Sequence, residues 1–173
     1  MTDTRKLTKM ALLLALLCIS AYISFPLPFT PVMITALTFV MCLIALMLTP
    51  KETFILLCVY ILLGAIGLPV FVGGKSGIAP LFGPTGGFIW GWPVAYTLLS
   101  IFKGKSKTFC SYLWRSIVIT IPMTYLFGVT GLMIVAKFGF MQAIMAAALP
   151  FIPGDILKAA LASYLATKVK LAH

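Results

Sequence analysis

Pro150-Phe151-Ile152-Pro153-Gly154-Asp155-Ile156-Leu157-Lys158-Ala159-Ala160-Leu161-Ala162 sets one carboxylate and one ammonium inside an apolar run long enough to cross a bilayer. An isolated charge at that depth is costly, so such groups are kept where they pair, face the protein interior or meet a ligand. Asp155 and Lys158 lie three residues apart and share one helix face. Pro153 and Gly154 interrupt the helix just before them, and backbone freed at membrane depth persists only where protein or a polar cavity satisfies it. Two readings follow: a ligand-binding centre, or an internal ion pair that fixes helix packing.

Outward from that stretch, the 173-residue chain is 62% hydrophobic and 9% charged, far from the balance of a soluble domain. Its apolar runs give six segments, at approximately 7–24, 31–49, 53–67, 86–102, 112–135 and 141–167. Residues 1–173 are therefore expected to form a single domain, an all-α integral membrane bundle of six transmembrane helices. The net charge of +10 invites a nucleic-acid reading, but the basic residues cluster at segment ends. Arg5, Lys6, Lys9, Lys51, Lys103, Lys105, Lys107, Arg115, Lys168 and Lys170 fall on one side, against Lys75 and Lys137 on the other. The positive-inside rule places the first set and both chain ends in the cytoplasm, with lipid as the surrounding medium and no nucleic-acid partner. Cys18, Cys42, Cys58 and Cys110 lack metal-ligand spacing, and no disulfide is expected. The first segment starts like a signal peptide, yet Cys18-Ile19-Ser20-Ala21-Tyr22 offers no clean cleavage site, so it reads as a retained helix.

Two outside loops matter. Phe25-Pro26-Leu27-Pro28-Phe29-Thr30-Pro31 is too proline-rich to continue a helix and predicts a short, stiff connection. The connection over 68–86 is glycine-rich but also carries Leu68, Val70, Phe71, Ile78, Leu81 and Phe82, which predicts a lid folded back over the helices. Within it, Gly74-Lys75-Ser76 suggests a phosphate-binding loop. That motif requires glycine where this chain has Pro69, and a nucleotide domain for which there is no room, so ATP binding is not expected. Small residues recur at helical spacing as Ala11 and Ala15, Gly87 and Gly91, Gly128 and Gly131, and Ala162 and Ala166, each pair permitting close helix approach. Most read as intramolecular packing. Ala11 and Ala15, near the basic end of the first helix, suit a partner within the membrane. No internal repeat is visible, which argues against an inverted-repeat carrier.

From Asp155 to Lys168 a helix rises roughly 20 Å, which puts the carboxylate nearer the outer surface and the site opening outward. Gly86 and Gly87 would let a ligand approach backbone, and Trp90 and Trp92 would form an aromatic wall or, alternatively, anchor at the bilayer edge. An aspartate accepts from ureido- or amide-like N–H groups, and a lysine donates to a carbonyl or pairs with a carboxylate. The implied ligand is small and amphipathic. Catalysis has little support, since the one histidine is terminal and no nucleophile stands at readable spacing from a base.

The runs Gly67-Leu68-Pro69-Val70-Phe71, Gly83-Pro84-Thr85-Gly86-Gly87 and Pro153-Gly154-Asp155-Ile156-Leu157-Lys158-Ala159 resemble, in order and spacing, the BioY family, the biotin-specific S components of energy-coupling factor (ECF) transporters. The resemblance covers most of the chain. It implies an S-component fold and high-affinity capture of biotin, powered by a separate transmembrane T component and two ABC-type ATPases, with no enzymatic activity or cofactor in this chain. It further implies substrate contacts from Asp155 and Lys158, with Gly83, Thr85, Gly86, Gly87 and Trp90 around the pocket, and T-component contact through Ala11 and Ala15. Two positions depart from the family pattern: Leu37 stands where glutamine is common, and Lys75 sits in a loop that is usually small and neutral. Lys75 would either reach a ligand carboxylate or sit in water. A rival reading from the residues alone is a self-sufficient carrier or channel with Asp155 as a proton or ion relay; a membrane enzyme acting on lipid is a third.

Overall fold

The computed structural model describes residues 3–28, 30–104 and 107–169. Phe29, Lys105, Lys170 and His173, used above as sequence landmarks, lie outside them. The chain runs through α1 (Asp3–Ser20), β1 (Ser24–Pro26), β2 (Met33–Thr35), α2 (Leu37–Met47), α3 (Pro50–Ala65), a 3₁₀ turn (Val72–Gly74), α4 (Ala79–Phe82), α5 (Gly86–Phe102), α6 (Phe109–Val135), α7 (Phe140–Ala147) and α8 (Ile152–Lys168). Helices α1, α2, α3, α5 and α6 and the α7–α8 pair fall in the six apolar segments, with α4 inside the expected lid.

Three elements differ from the sequence expectation. Residues 31–36 do not open the second helix: Pro31 has no N–H to give, and Met33–Thr35 instead pairs antiparallel with Ser24–Pro26, Phe25 opposite Ile34. The bundle is thus all-α apart from one short hairpin. The first helix stops at Ser20 rather than near 24, because the chain must turn there to feed β1, and the Ser20 hydroxyl bonds back to the Leu17 carbonyl at 2.7 Å. The last segment is two helices bent by 46°. Pro150 and Pro153 remove consecutive-turn donors, and Pro153 is seated in the first turn of α8, where its missing N–H costs nothing.

A two-residue turn joins α2 to α3. Thr49 caps α3 in a reciprocal box: its hydroxyl accepts from the Glu52 N–H, and the Glu52 carboxylate accepts from the Thr49 N–H at 2.9 Å. The free carbonyls at the end of α2 are satisfied from a distance. Lys103 donates to the carbonyls of Ala45, Leu46 and Leu48, and Ser100 donates to that of Leu48. Arg115 in turn donates to the Lys103 carbonyl, which ties the α2–α3 turn to the α5–α6 connection.

Helices α5 and α6 meet through glycine. A Cβ on Gly131 would lie 2.8 Å from the Gly87 Cα, and one on Gly91 or Gly128 would strike the Phe127 or Phe88 side chain. Inside the bundle Leu17, Met41, Ile44, Leu57, Leu99 and Leu132 are fully buried. On the outer faces Leu12, Ile101, Ile134 and Leu157 are exposed, an apolar surface that lipid can cover and water cannot. Among the described residues, α6 is long and apolar enough to span a membrane by itself, and α7 with α8 qualifies as a broken span.

Replacing Gly131 with Val should force α5 and α6 apart and cost about 1–3 kcal/mol, read as a lower melting temperature in detergent. Gly139→Ala, whose added methyl meets nothing within 4 Å, should leave that temperature unchanged.

Candidate functional site

The break before α8 determines where the carboxylate sits. Asp155 occupies the first turn of α8, its N–H bonded to the Phe151 carbonyl at 2.8 Å, and the partial positive charge of the helix N-terminus favours an anion there. One turn on, Lys158 donates to Oδ1 at 3.0 Å. Thr38 of α2 donates to the same oxygen at 3.3 Å, and the Tyr125 hydroxyl of α6 donates to Oδ2 at 2.5 Å. The Tyr125 ring is held edge-on to Phe88, with centroids 6.4 Å apart. Three helices therefore converge on one carboxylate. The pair is only partly shielded, its side chains 17% and 18% exposed, and both line a cavity enclosing about 760 Å³ of space, open mouth included, within the range of small-molecule sites.

Aromatic and aliphatic side chains, among them Phe71, Phe88, Ile89, Trp92 and Phe151, form most of the wall, and Thr35, Thr38, Thr85 and Thr124 add hydroxyls. One polar group of a lining residue, the Trp92 indole N–H, is buried without a hydrogen-bond partner among the described residues. An unpaired buried donor costs about 1–3 kcal/mol, which a bound acceptor would offset. Its roof comes from the two outside loops. Pro31, Val32 and Met33 contribute from the hairpin, and Thr30 fastens that loop to the Ala146 carbonyl at 2.6 Å. Phe71, Val72, Lys75 and Pro80 contribute from the lid, which is pinned by Tyr60 donating to the Val70 carbonyl and by Gly73 and Gly77 donating to the carbonyls of Ala21 and Gly64.

Of the residues singled out from sequence, Asp155, Lys158 and Thr85 line the cavity. Gly83, Gly86, Gly87 and Trp90 are not among the lining residues. The glycines permit close backbone packing: a Cβ on Gly86 would strike the Leu81 carbonyl, one on Gly87 would lie 2.9 Å from Gly131, and one on Gly83 would lie 3.1 Å from the Ala79 carbonyl. Trp90 is 49% exposed and donates to the Leu81 carbonyl at 3.1 Å, steadying α4 from outside, whereas Trp92 faces the cavity. Successive α-helical residues are rotated by about 100°, so two residues apart cannot share a wall. Leu37 is fully buried and Thr38, its neighbour, presents the polar group to the cavity. Nothing local in the sequence singles out Thr38, Thr124 and Tyr125; the available signal is the run Ser116, Thr120, Thr124, which repeats every four residues along a mostly apolar α6. Ala11 and Ala15 are exposed on α1, on the face opposite the buried Leu13 and Leu17.

Comparison with known proteins identifies this architecture. The family model for BioY matches residues 1–173. The chain belongs to the BioY family. It is 35% identical over 167 residues to the probable biotin transporter BioY of Pyrococcus horikoshii, covering 96% of each protein. It is 34% identical over 166 residues to the biotin transporter BioY of Thermotoga maritima, again covering 96% of each. Among solved structures it resembles the crystal structure of the S-component for biotin from an ECF-type ABC transporter, with a TM-score of 0.89, 26% identity, and coverage of 97% of this chain and 93% of that one. BioY proteins are membrane transporters, and the apolar outer faces of this chain are those of a membrane protein.

In this BioY chain the ion pair predicts a coupled stability effect. Asp155→Asn strands the Lys158 ammonium in a half-buried site, whereas Asp155→Asn with Lys158→Met removes both charges. Thermal unfolding in detergent should show the double variant to be more stable than Asp155→Asn alone; strictly additive losses would mean the pair is solvated rather than coupled.

Proposed function

We propose that this chain is the membrane-embedded biotin-binding component of an ECF-type vitamin uptake transporter, a binding subunit rather than an enzyme. The observation that carries this reading is the Asp155 carboxylate, fixed by donors from three helices and lining an aromatic cavity, in a chain that the BioY family model matches over residues 1–173. Biotin has a cyclic urea head with two N–H donors and one carbonyl, a compact apolar body, and an aliphatic chain ending in a carboxylate. Asp155 takes the urea N–H groups, and Lys158 or the unpartnered Trp92 N–H donates to the urea carbonyl. Phe71, Phe88, Trp92 and Phe151 enclose the body. Pre-orientation of the carboxylate by Tyr125, Thr38 and Lys158 spares the ligand the cost of ordering it.

The distribution of basic residues supports a multi-pass orientation in the cell membrane with both termini cytoplasmic and the roofed cavity outside. Transport then requires partners. A transmembrane T component docks on the small-residue strip of Ala11 and Ala15, where exposed methyl-sized side chains allow close helix approach, and two ATPases supply the energy.

Titration of detergent-purified protein with biotin should give tight one-to-one binding without ATP, weaker but measurable binding of desthiobiotin, and none of riboflavin. Asp155→Ala should lower biotin affinity by about 100-fold or more, equivalent to roughly 2.7 kcal/mol, while the protein remains folded by circular dichroism. Biotin flux through liposomes containing this chain alone would favour the self-sufficient carrier instead. Ala15→Trp should leave biotin binding intact and abolish co-purification with the T component; retained co-purification would remove Ala15 from that interface.

A further inference from the structure

The charges around the cavity do not cancel. Its lining holds one carboxylate, Asp155, and two ammonium groups, Lys158 and Lys75. Lys158 is committed to Asp155. The Lys75 ammonium makes no hydrogen bond or ion pair among the described residues, and the residue is exposed where the other two are half-buried, so it stands at the mouth. The cavity therefore presents a neutral polar pair at depth and one uncompensated positive charge at its entrance.

The backbone that carries Lys75 is held in place. Phe71 and Lys75 form an antiparallel bridge, with the Phe71 N–H bonded to the Lys75 carbonyl at 3.0 Å and the Gly74 N–H to the Phe71 carbonyl at 2.9 Å. Gly73 and Gly74 close the turn with φ of 70° and 72°, values a side-chain-bearing residue rarely adopts. Below them Phe71 is buried against Gly64 and edge-on to Tyr60. A flexible lysine on a fixed stem is confined to the mouth, which raises the effective concentration of its charge there.

We infer that Lys75 is a specificity-determining residue that selects ligands ending in a free carboxylate. This rests on the biotin reading: with the urea head at Asp155, the aliphatic chain leads toward the mouth and delivers its carboxylate to the one unpaired cation. An exposed lysine pairing with a carboxylate contributes modestly, so the expected discrimination is on the order of tenfold.

The test compares biotin with biotinamide, in which a neutral carboxamide replaces the carboxylate, by titration calorimetry on the wild type and on Lys75→Met and Lys75→Arg. The wild type and Lys75→Arg should bind biotin about tenfold more tightly than biotinamide. In Lys75→Met the two affinities should converge, through loss of biotin affinity with biotinamide unchanged. Because a general disturbance of the lid would weaken both ligands together, the ratio isolates the charge effect. Equal wild-type affinities, or an unchanged ratio in Lys75→Met, would overturn the assignment of Lys75 alone. No binding of either ligand to the folded wild type would overturn the biotin reading and this inference with it.

Discussion

A carboxylate inside a membrane bundle is an obligation, because it must be given donors by its own protein before anything else binds. Asp155 receives them from Lys158 on its own helix, Thr38 on α2 and Tyr125 on α6. The rest of the architecture serves this convergence. Without the 46° break between α7 and α8 the carboxylate would lie in mid-helix, away from the helix N-terminus that favours it. Without the glycine contact between α5 and α6, Phe88 and Tyr125 would not meet in the edge-on pair that aims the phenol at Oδ2.

The outcome is a site with its polar head group prepared and its walls apolar. A satisfied carboxylate of this kind is a poor general base and a good fixed acceptor, which suits capture better than chemistry. Satisfaction is incomplete elsewhere: the buried Trp92 N–H has no partner among the described residues. That donor and the ordered carboxylate favour binding of a small molecule with both donors and acceptors beneath the pinned lid and hairpin roof. Large apolar side chains are exposed on α1, α6 and α8, among them Leu12, Ile134 and Leu157, as on a surface covered by lipid.

Much of this is legible in the sequence. Apolar runs located the helical segments, Pro153-Gly154 announced the interruption, and the spacing of Asp155 and Lys158 required a shared face. What escaped was whatever depends on contacts distant in the chain. The Thr38–Asp155 bond spans 117 positions and the Tyr125–Asp155 bond 30, and no local spacing rule reaches that far. The short hairpin was absorbed into a helical segment because Met33, Ile34 and Thr35 are apolar or β-branched and read equally well as the start of a buried helix. Glycines of the 83–87 run read as room for a ligand, and in the fold they lie in close backbone contacts that sequence does not show. Trp90 and Trp92 read as an aromatic wall or as bilayer anchors; helical rotation separates them, with Trp92 lining the cavity and Trp90 bonded to the Leu81 carbonyl of α4.

The central claim is that the Asp155 network receives the urea head of biotin. A structure of the protein with biotin bound, at a resolution that defines the bicyclic ring, tests it most directly. The account predicts a urea N–H within hydrogen-bond distance of Asp155, the ring against Trp92, and Tyr125 and Thr38 still donating to the carboxylate. Biotin bound elsewhere in the bundle, with Asp155 engaged only by its own three donors, would contradict it and leave the ion pair as a packing device.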